Sequence, residues 1–494
     1  MTEQWLAKQQ RLLAAARGER PADLVLTGAQ VANLYTGEWR REEVAVSEGI
    51  IVGVGPDYAG PRLEVSGYLV PGFIDGHLHL ESSMLTPGEL ARALVPRGTT
   101  AVVADPHEIV NVWGSRGLDY LLHAVEGLPL DFFFMLPSCV PASPLSSAGA
   151  RWDAADLAPY LNHPRVLGLA EVMNYPGVVA GDRDLLEKIA LFPRGPVDGH
   201  APLLTGKALQ AYRLAGIGSD HECTTLAEAR EKLGLGFHLM IREGSLAKNL
   251  ADLLPALTPA TQGRISLVSD DLHPEDLARR GHLDHLLRRA VAEGLEPLQA
   301  VALVTRNTAR YFGLQDRGAL APGMRADLVL VQDLKEFRVE KVWKDGKLVA
   351  ERGSLLPGLE IPSYPAHHGA LRVAPLEAQV FSPPVTGELV RVIGLIPGQI
   401  LTAELIVPAP VRDGRLAALP AVLLAGLHLG PGERPVSDAD VARRFLRRHA
   451  EGDQRTRAGL RRLQRAGQQQ GDGVLLGPRR RIYQARQTAG TRTL

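Results

Sequence analysis

His77 and His79 stand one residue apart at the end of an apolar run, Pro71-Gly72-Phe73-Ile74-Asp75-Gly76. Strand alternation puts both imidazoles on one face. Four more metal-capable side chains follow at the ends of separate strand-like segments: Glu171, His200, His221 and Asp270, the last closing the run Ile265-Ser266-Leu267-Val268-Ser269. Imidazole nitrogens and carboxylate oxygens suit a divalent first-row metal, and a cluster of this size can hold two ions with an activated water between them. A single buried His is more often a hydrogen-bonded core residue than a ligand. The recurrence of such groups at successive strand ends makes the chain read as a metallohydrolase.

The elements that must position these groups are eight apolar strand candidates, residues 73–79, 100–105, 132–137, 166–172, 197–200, 217–221, 238–242 and 265–270. Helical stretches such as 204–215 and 226–233, with apolar residues three and four apart, separate them. Eight strand-then-helix units in about 240 residues predict an α/β fold, a (β/α)8 TIM-type barrel, whose active site lies at the C-terminal strand ends. All six candidate ligands fall there. Short strands with Gly-rich turns on either side of this segment predict a small β-sandwich built from 22–70 and 316–357, with Asp345-Gly346 marking a hairpin. The barrel then spans 71–315. Residues 358–419 begin a C-terminal β domain, and 420–494 form an Arg-rich tail expected to be disordered or atypical.

With 494 residues, 45% of them hydrophobic, the chain can bury a large core in more than one domain. The zero formal net charge argues against nucleic acid as a partner. Fifteen arginines against five acidic residues from Arg434 onward give that stretch about +10, read as a solvated segment. Two distant cysteines, Cys139 and Cys223, offer neither a disulfide framework nor a cysteine zinc site, and they predict a reducing cytoplasm. No apolar run reaches the length of about twenty residues a membrane span needs.

The chain resembles the adenine deaminases of the amidohydrolase superfamily, the type with a binuclear metal site. The resemblance runs from about Asp23 to Asp413. It rests on Gly76-His77-Leu78-His79-Leu80-Glu81-Ser82-Ser83, Ala104-Asp105-Pro106-His107-Glu108, Leu136-Pro137-Ser138-Cys139-Val140-Pro141, Glu171-Val172-Met173-Asn174, Asp198-Gly199-His200-Ala201-Pro202, Ser219-Asp220-His221-Glu222 and Ser269-Asp270-Asp271. His-x-His after Gly-Phe-Ile-Asp-Gly is shared by many amidohydrolases, whereas Glu-Ser-Ser after it and Glu-Val-Met on strand four point to this branch.

The resemblance implies that His77 and His79 bind one metal and His200 and His221 the other. Glu171 would bridge them where many relatives use a carboxylated lysine, and Asp270 would bind metal while handling protons. It implies two divalent ions, Mn²⁺ or Fe²⁺ with Zn²⁺ as an option. It also implies adenine as substrate, a role in purine salvage and adenine catabolism, and a homodimer. In the implied reaction a metal-bound hydroxide attacks C6 of adenine, Asp270 relays the proton, and Glu81 supplies an acid near N1. Ser82, Ser83, His107 and Glu108 are candidate substrate contacts. For Glu-Ser-Ser the plain alternative is a helix N-cap, and for His107 and Glu108 it is orientation of a ligand His. Two rival functions are another amidohydrolase reaction on a cyclic amide or heterocycle, and a metal-binding barrel without turnover.

Overall fold

The computed structural model describes residues 3–417 apart from 144, 145, 147, 363, 366–374, 376, 378–380, 386 and 397. The Arg-rich tail expected over 420–494 lies outside the described residues. The chain divides into two compact units, one of residues 1–376 with 398–403 and the other of 377–397 with 404–494.

The first unit opens with helix α1 (Glu3–Ala16), then β1 (Leu24–Thr27), β2 (Gln30–Asn33), β3 (Glu38–Arg40), β4 (Val44–Ser47), β5 (Ile50–Val54), β6 (Arg62–Glu64) and β7 (Tyr68–Pro71). Next come β8 (Phe73–Leu78), β9 (Thr99–Ala104), β10 (Asp131–Leu136), β11 (Val166–Val172), β12 (Val197–Gly199), β13 (Ser219–Asp220), β14 (His238–Arg242) and β15 (Ile265–Val268). Each of these eight matches a strand expected from sequence, although the sixth shrinks to two residues.

They run parallel, in a five-stranded sheet ordered β12-β11-β10-β9-β8 and a three-stranded sheet ordered β13-β14-β15. Backbone bonds join the two sheets at both edges. Gly218 N donates to Val197 O at 2.8 Å, and Asp270 N donates to His77 O at 2.9 Å, with a parallel bridge between Leu78 and Asp270. The parallel strands therefore curl. Every residue of β8, β9 and β14 is buried, as expected for parallel strands covered on both faces. Helices such as Gly206–Leu214 and Leu226–Gly234 follow the strands.

After the last parallel strand come β16 (Leu328–Val331), β17 (Val339–Lys344), β18 (Lys347–Glu351) and β19 (Ser354–Leu355). They join strands from before β8 in one seven-stranded sheet, ordered β19-β18-β17-β16-β7-β2-β3. The Asp345-Gly346 hairpin takes positive φ at both residues, 50° and 75°, the geometry that favours this pair in a tight turn. The β text at the N-terminus divides between two sheets, because β5-β4-β1-β6 form a sheet of their own, against which Leu12 and Ala15 of α1 pack. β7 pairs with β16 and leads through Gly72 directly into β8, so the sheet anchors the strand that carries His77. The second unit contains β20 (Leu389–Leu395) and most of its partner strand β21 (Thr402–Pro408).

Candidate metal centre

Strand ends bring the six residues together. His77 belongs to β8 and His79 follows it; both side chains are buried and their rings meet edge to face, 4.9 Å between centroids. The His77 ring stacks on His221, just past β13, at 4.0 Å. His200 follows Gly199, and a Cβ at Gly199 would strike the Ser219 carbonyl, so glycine lets β12 and β13 approach where both imidazoles emerge. Asp270 takes the left-handed φ of 58°. That conformation is uncommon outside glycine but tolerated by Asp. The bond from Asp270 N to His77 O holds it there.

Glu171, near the end of β11, lies between the imidazoles. Its Oε1 is 3.4 Å from His79 Nε2, while its Oε2 is 3.2 Å from His221 Nε2 and in direct contact with His200 Nδ1. Asp270 Oδ1 faces the other pair, 3.5 Å from His77 Nε2 and 3.4 Å from His79 Nε2. Among the described residues five donor sets have their ligand atoms within 4.8 Å of one another: His77, His79 and Asp270; His77, Glu171 and His221; His200, His221 and Glu222; His79, Asp105, His107 and Glu171; and His79, Glu108 and Asp271.

Burial opposes every charge here, yet opposite charges outweigh it. Burial pulls the His79 and His221 imidazoles down, but Asp270 and Glu108 for the first, and Glu171 and Glu222 for the second, hold them well above the ordinary value. His200 is raised by Glu171 in the same way. Burial pushes Glu171 and Asp270 up, but His200 and His221 hold Glu171, and His77 and His79 hold Asp270, well below the usual carboxylate range. The cluster thus pairs buried carboxylates with compensating positive charge. His77 Nε2 and His221 Nδ1 are buried without a hydrogen-bond partner. Borderline nitrogen donors beside hard oxygens, with unpaired lone pairs among them, fit divalent first-row ions.

The second group of candidates surrounds this cluster. His107 lies 3.3 Å from Asp105 Oδ2 and 3.5 Å from Glu171 Oε1, and its ring meets that of His79 at 4.8 Å. Burial lowers its pKa, but Asp105 and Glu171 push it up to about 10. Glu108 reaches both His79 and His107 at 3.5 Å. Glu81 lies in a 3-10 turn, Glu81–Ser83; its Oε1 accepts from Ile109 N at 3.0 Å, and burial together with the Glu108 carboxylate pushes it up to about 7. The Ser82 hydroxyl donates to Asp271 Oδ1. The Ser83 hydroxyl is engaged by backbone, donating to Leu80 O at 2.6 Å and accepting from Leu85 N at 3.2 Å.

Sequence reasoning missed Arg242. Its fully buried guanidinium contacts Glu222 through both terminal nitrogens and donates to Asp270 Oδ2 at 2.9 Å. The available signal is a charged residue ending an otherwise apolar strand at the mouth end, in His238-Leu239-Met240-Ile241-Arg242. Glu222 lies in the quoted Ser219–Glu222 motif without a role of its own, and here it stands 3.4 Å from His221 Nε2.

Comparison with known proteins agrees with this architecture. The model of the "Amidohydrolase family" matches residues 68–349. "Adenine deaminase 2" of Carboxydothermus hydrogenoformans is 48% identical over 405 residues, covering 82% of this chain and 71% of that protein. The "Adenine deaminase" of Methanoregula boonei is 47% identical over 416 residues, covering 83% and 72%. Among solved structures, a beta-aspartyl dipeptidase from Fervidobacterium islandicum AW-1 superposes with a TM-score of 0.51 at 15% identity, covering 69% of this chain and 100% of that one. An atrazine chlorohydrolase from Arthrobacter aurescens TC1, in complex with zinc, also gives 0.51 at 15% identity, covering 68% and 97%. These two share the fold alone. The family model covers the strands that carry the histidines, and with relatives of this identity and coverage the chain belongs to the amidohydrolase family, in its adenine deaminase branch.

Proposed function

We infer that this chain hydrolyses adenine to hypoxanthine and ammonia. One observation carries the reading: Glu171 lies between two sets of imidazoles in a chain 48% identical over 405 residues to an adenine deaminase. In this reading His77, His79 and Asp270 would hold one divalent ion and His200 and His221 the other, with Glu171 offering one oxygen to each. Mn²⁺ or Fe²⁺ is the expected occupant, and Zn²⁺ suits the same donors. Such a pair supplies an acidified, positioned water and neutralises the buried carboxylates.

The chain's own residues then manage protons. Asp270 Oδ1 takes the proton of the water that adds to C6, while Oδ2 stays with Arg242. The proton passes to the exocyclic nitrogen, which leaves as ammonia as the C6–N bond breaks, and the C6 carbonyl forms as the added hydroxyl gives up its remaining proton, which replaces the one Glu81 gives to N1. One carboxylate thus serves as base and then as acid. Glu81, with a pKa pushed up to about 7, holds a proton for N1 of the ring. Ser82, His107 and Glu108 face the substrate, and Ser83 fixes the turn that carries Glu81 and Ser82.

The eight parallel strands are taken as a closed (β/α)8 barrel over 71–315, with a composite sandwich from 22–70 and 316–357 and a C-terminal β domain beginning at 358–419. Among the described residues no helix is long and apolar enough to cross a membrane. A cytoplasmic homodimer is the proposed assembly, in keeping with two free, buried cysteines.

The test is to load the protein with Mn²⁺ and measure ammonia and hypoxanthine from adenine, beside a panel of other amino-heterocycles and cyclic amides. Equal release of both products from adenine supports the reading. Turnover of a panel compound with adenine untouched replaces the substrate, and no turnover at all with metal bound makes the chain a binding protein.

A further inference from the structure

Asp270 is held from both ends. Its backbone N–H is bonded to His77 O at 2.9 Å, and its side-chain Oδ2 accepts from Arg242 Nη1 at 2.9 Å. Only Oδ1 is left toward His77 and His79, at 3.5 and 3.4 Å. A carboxylate could otherwise rotate and present either oxygen; the guanidinium removes that freedom.

Arg242 is itself fully determined. Nη2 donates to Glu222 Oε2 at 3.0 Å, Nη1 contacts Glu222 Oε1, and Nε donates to Asn249 Oδ1 at 3.3 Å. Glu222 adjoins His221, so one planar group spans the strand ends that carry His221 and Asp270. Five donors in a fixed fork make this possible, and lysine has no equivalent.

The chain of contacts continues outward. Asn249 N donates to Arg242 O at 3.1 Å, and Asn249 Nδ2 donates to Gln399 Oε1 at 3.1 Å. Beside it Lys248 N donates to Gly398 O at 3.0 Å. Gln399 lies about 130 residues beyond Asp270 in sequence, between β20 and β21, in a segment that packs with the first unit. We propose that Arg242 is a positioning residue that fixes which oxygen of Asp270 faces the metal-binding imidazoles, and that Gln399, acting through Asn249, braces Arg242 from the C-terminal region. The role given to Asp270 rests on the function proposed above.

The test is a double-mutant cycle read by Mn²⁺ titration of metal-stripped protein and by kcat and KM for adenine. Q399A should weaken Mn²⁺ binding and lower kcat by about two- to tenfold, the worth of one neutral hydrogen bond, with KM unmoved. Gln399→Glu, which keeps the acceptor, should restore both values. R242K should cost about 10–100-fold in Mn²⁺ affinity, as loss of an outer-shell partner does. Adding Q399A to R242K or to N249A should change nothing further, because the brace then has nothing left to act on. Two backgrounds keep the cycle usable if one variant fails to fold. Parental Mn²⁺ affinity in Q399A, or an undiminished Q399A effect in the N249A background, would overturn the proposal. If the Mn²⁺ pattern holds while the parent ignores adenine, the positioning stands and the substrate assignment fails.

Discussion

The two oxygens of Glu171 face different imidazoles, His79 on one side and His221 on the other. Glu171→Gln replaces one oxygen by an amide that cannot ligate through nitrogen, so metal content should fall from about two per chain toward one. Metal analysis after gel filtration checks this, and an unchanged value of two would remove the bridging role. Asp270→Asn keeps the size of the side chain and the contact to Arg242 through its oxygen, but an amide cannot accept the proton of the attacking water. The expected result is a folded protein with kcat lowered by about 10²–10⁴-fold, the usual worth of a general acid–base group. Activity within a few-fold of the parent would take Asp270 out of the chemistry.

The loops that follow β12 and β13 are clamped by one buried ion network. Lys232, on the helix Leu226–Gly234, donates to Ala201 O at 2.7 Å and to Glu228 Oε1 at 2.9 Å, and pairs with Asp220 at 3.0 Å. Asp220 in turn accepts from Ala201 N and Glu222 N at 2.9 and 2.8 Å, on the far sides of His200 and His221. Lys232→Met would leave two buried carboxylates unpaired, at a cost of about 3–5 kcal/mol. Urea unfolding should show that loss and Mn²⁺ titration a weaker site; stability equal to the parent would mean that the network does not set these loops. The metal-capable strand ends are legible in the sequence because His77 and Asp270 close apolar runs, and Glu171, His200 and His221 fall at or just past the ends of the strand-like segments between them. The clamp is not. Lys232 falls in a helix as a charged residue among others, Glu228 and Glu231 included, and reads as part of a solvated face until the fold buries it. Arg242 escapes for a related reason, since a charge at a strand end reads equally well as the start of a surface loop. The two-residue β13 is shorter than the segment 217–221 because its ladder to β14 covers only Ser219 and Asp220, while Gly218 is held by single backbone bonds to Val197 and His238.

In the whole first unit, the parallel strands and the seven-stranded sheet are tied by charge at the end remote from the histidines. Asp131, at the start of β10, accepts from Arg317 Nη1 at 2.7 Å and pairs with Lys344 of β17 at 2.9 Å. Burial pushes its pKa up, but Lys344, Arg317 and Arg325 hold it well below the usual carboxylate range. A depressed folded pKa means that its stabilisation is complete above the unfolded value of about 4 and fades as pH falls toward the folded one. Asp131→Asn should lower stability at neutral pH by about 1–3 kcal/mol, and the gap from the parent should close in strong acid. Thermal unfolding across pH reads this, and a gap that stays constant would deny the ion pair its role. A Mn²⁺ titration of the metal-stripped protein followed by adenine turnover tests most directly whether the cluster of imidazoles and carboxylates serves adenine hydrolysis. Hypoxanthine and ammonia should appear in equal amounts and rise to a plateau near two equivalents of Mn²⁺ per chain, whereas a protein that binds the metal and leaves adenine intact would contradict the account.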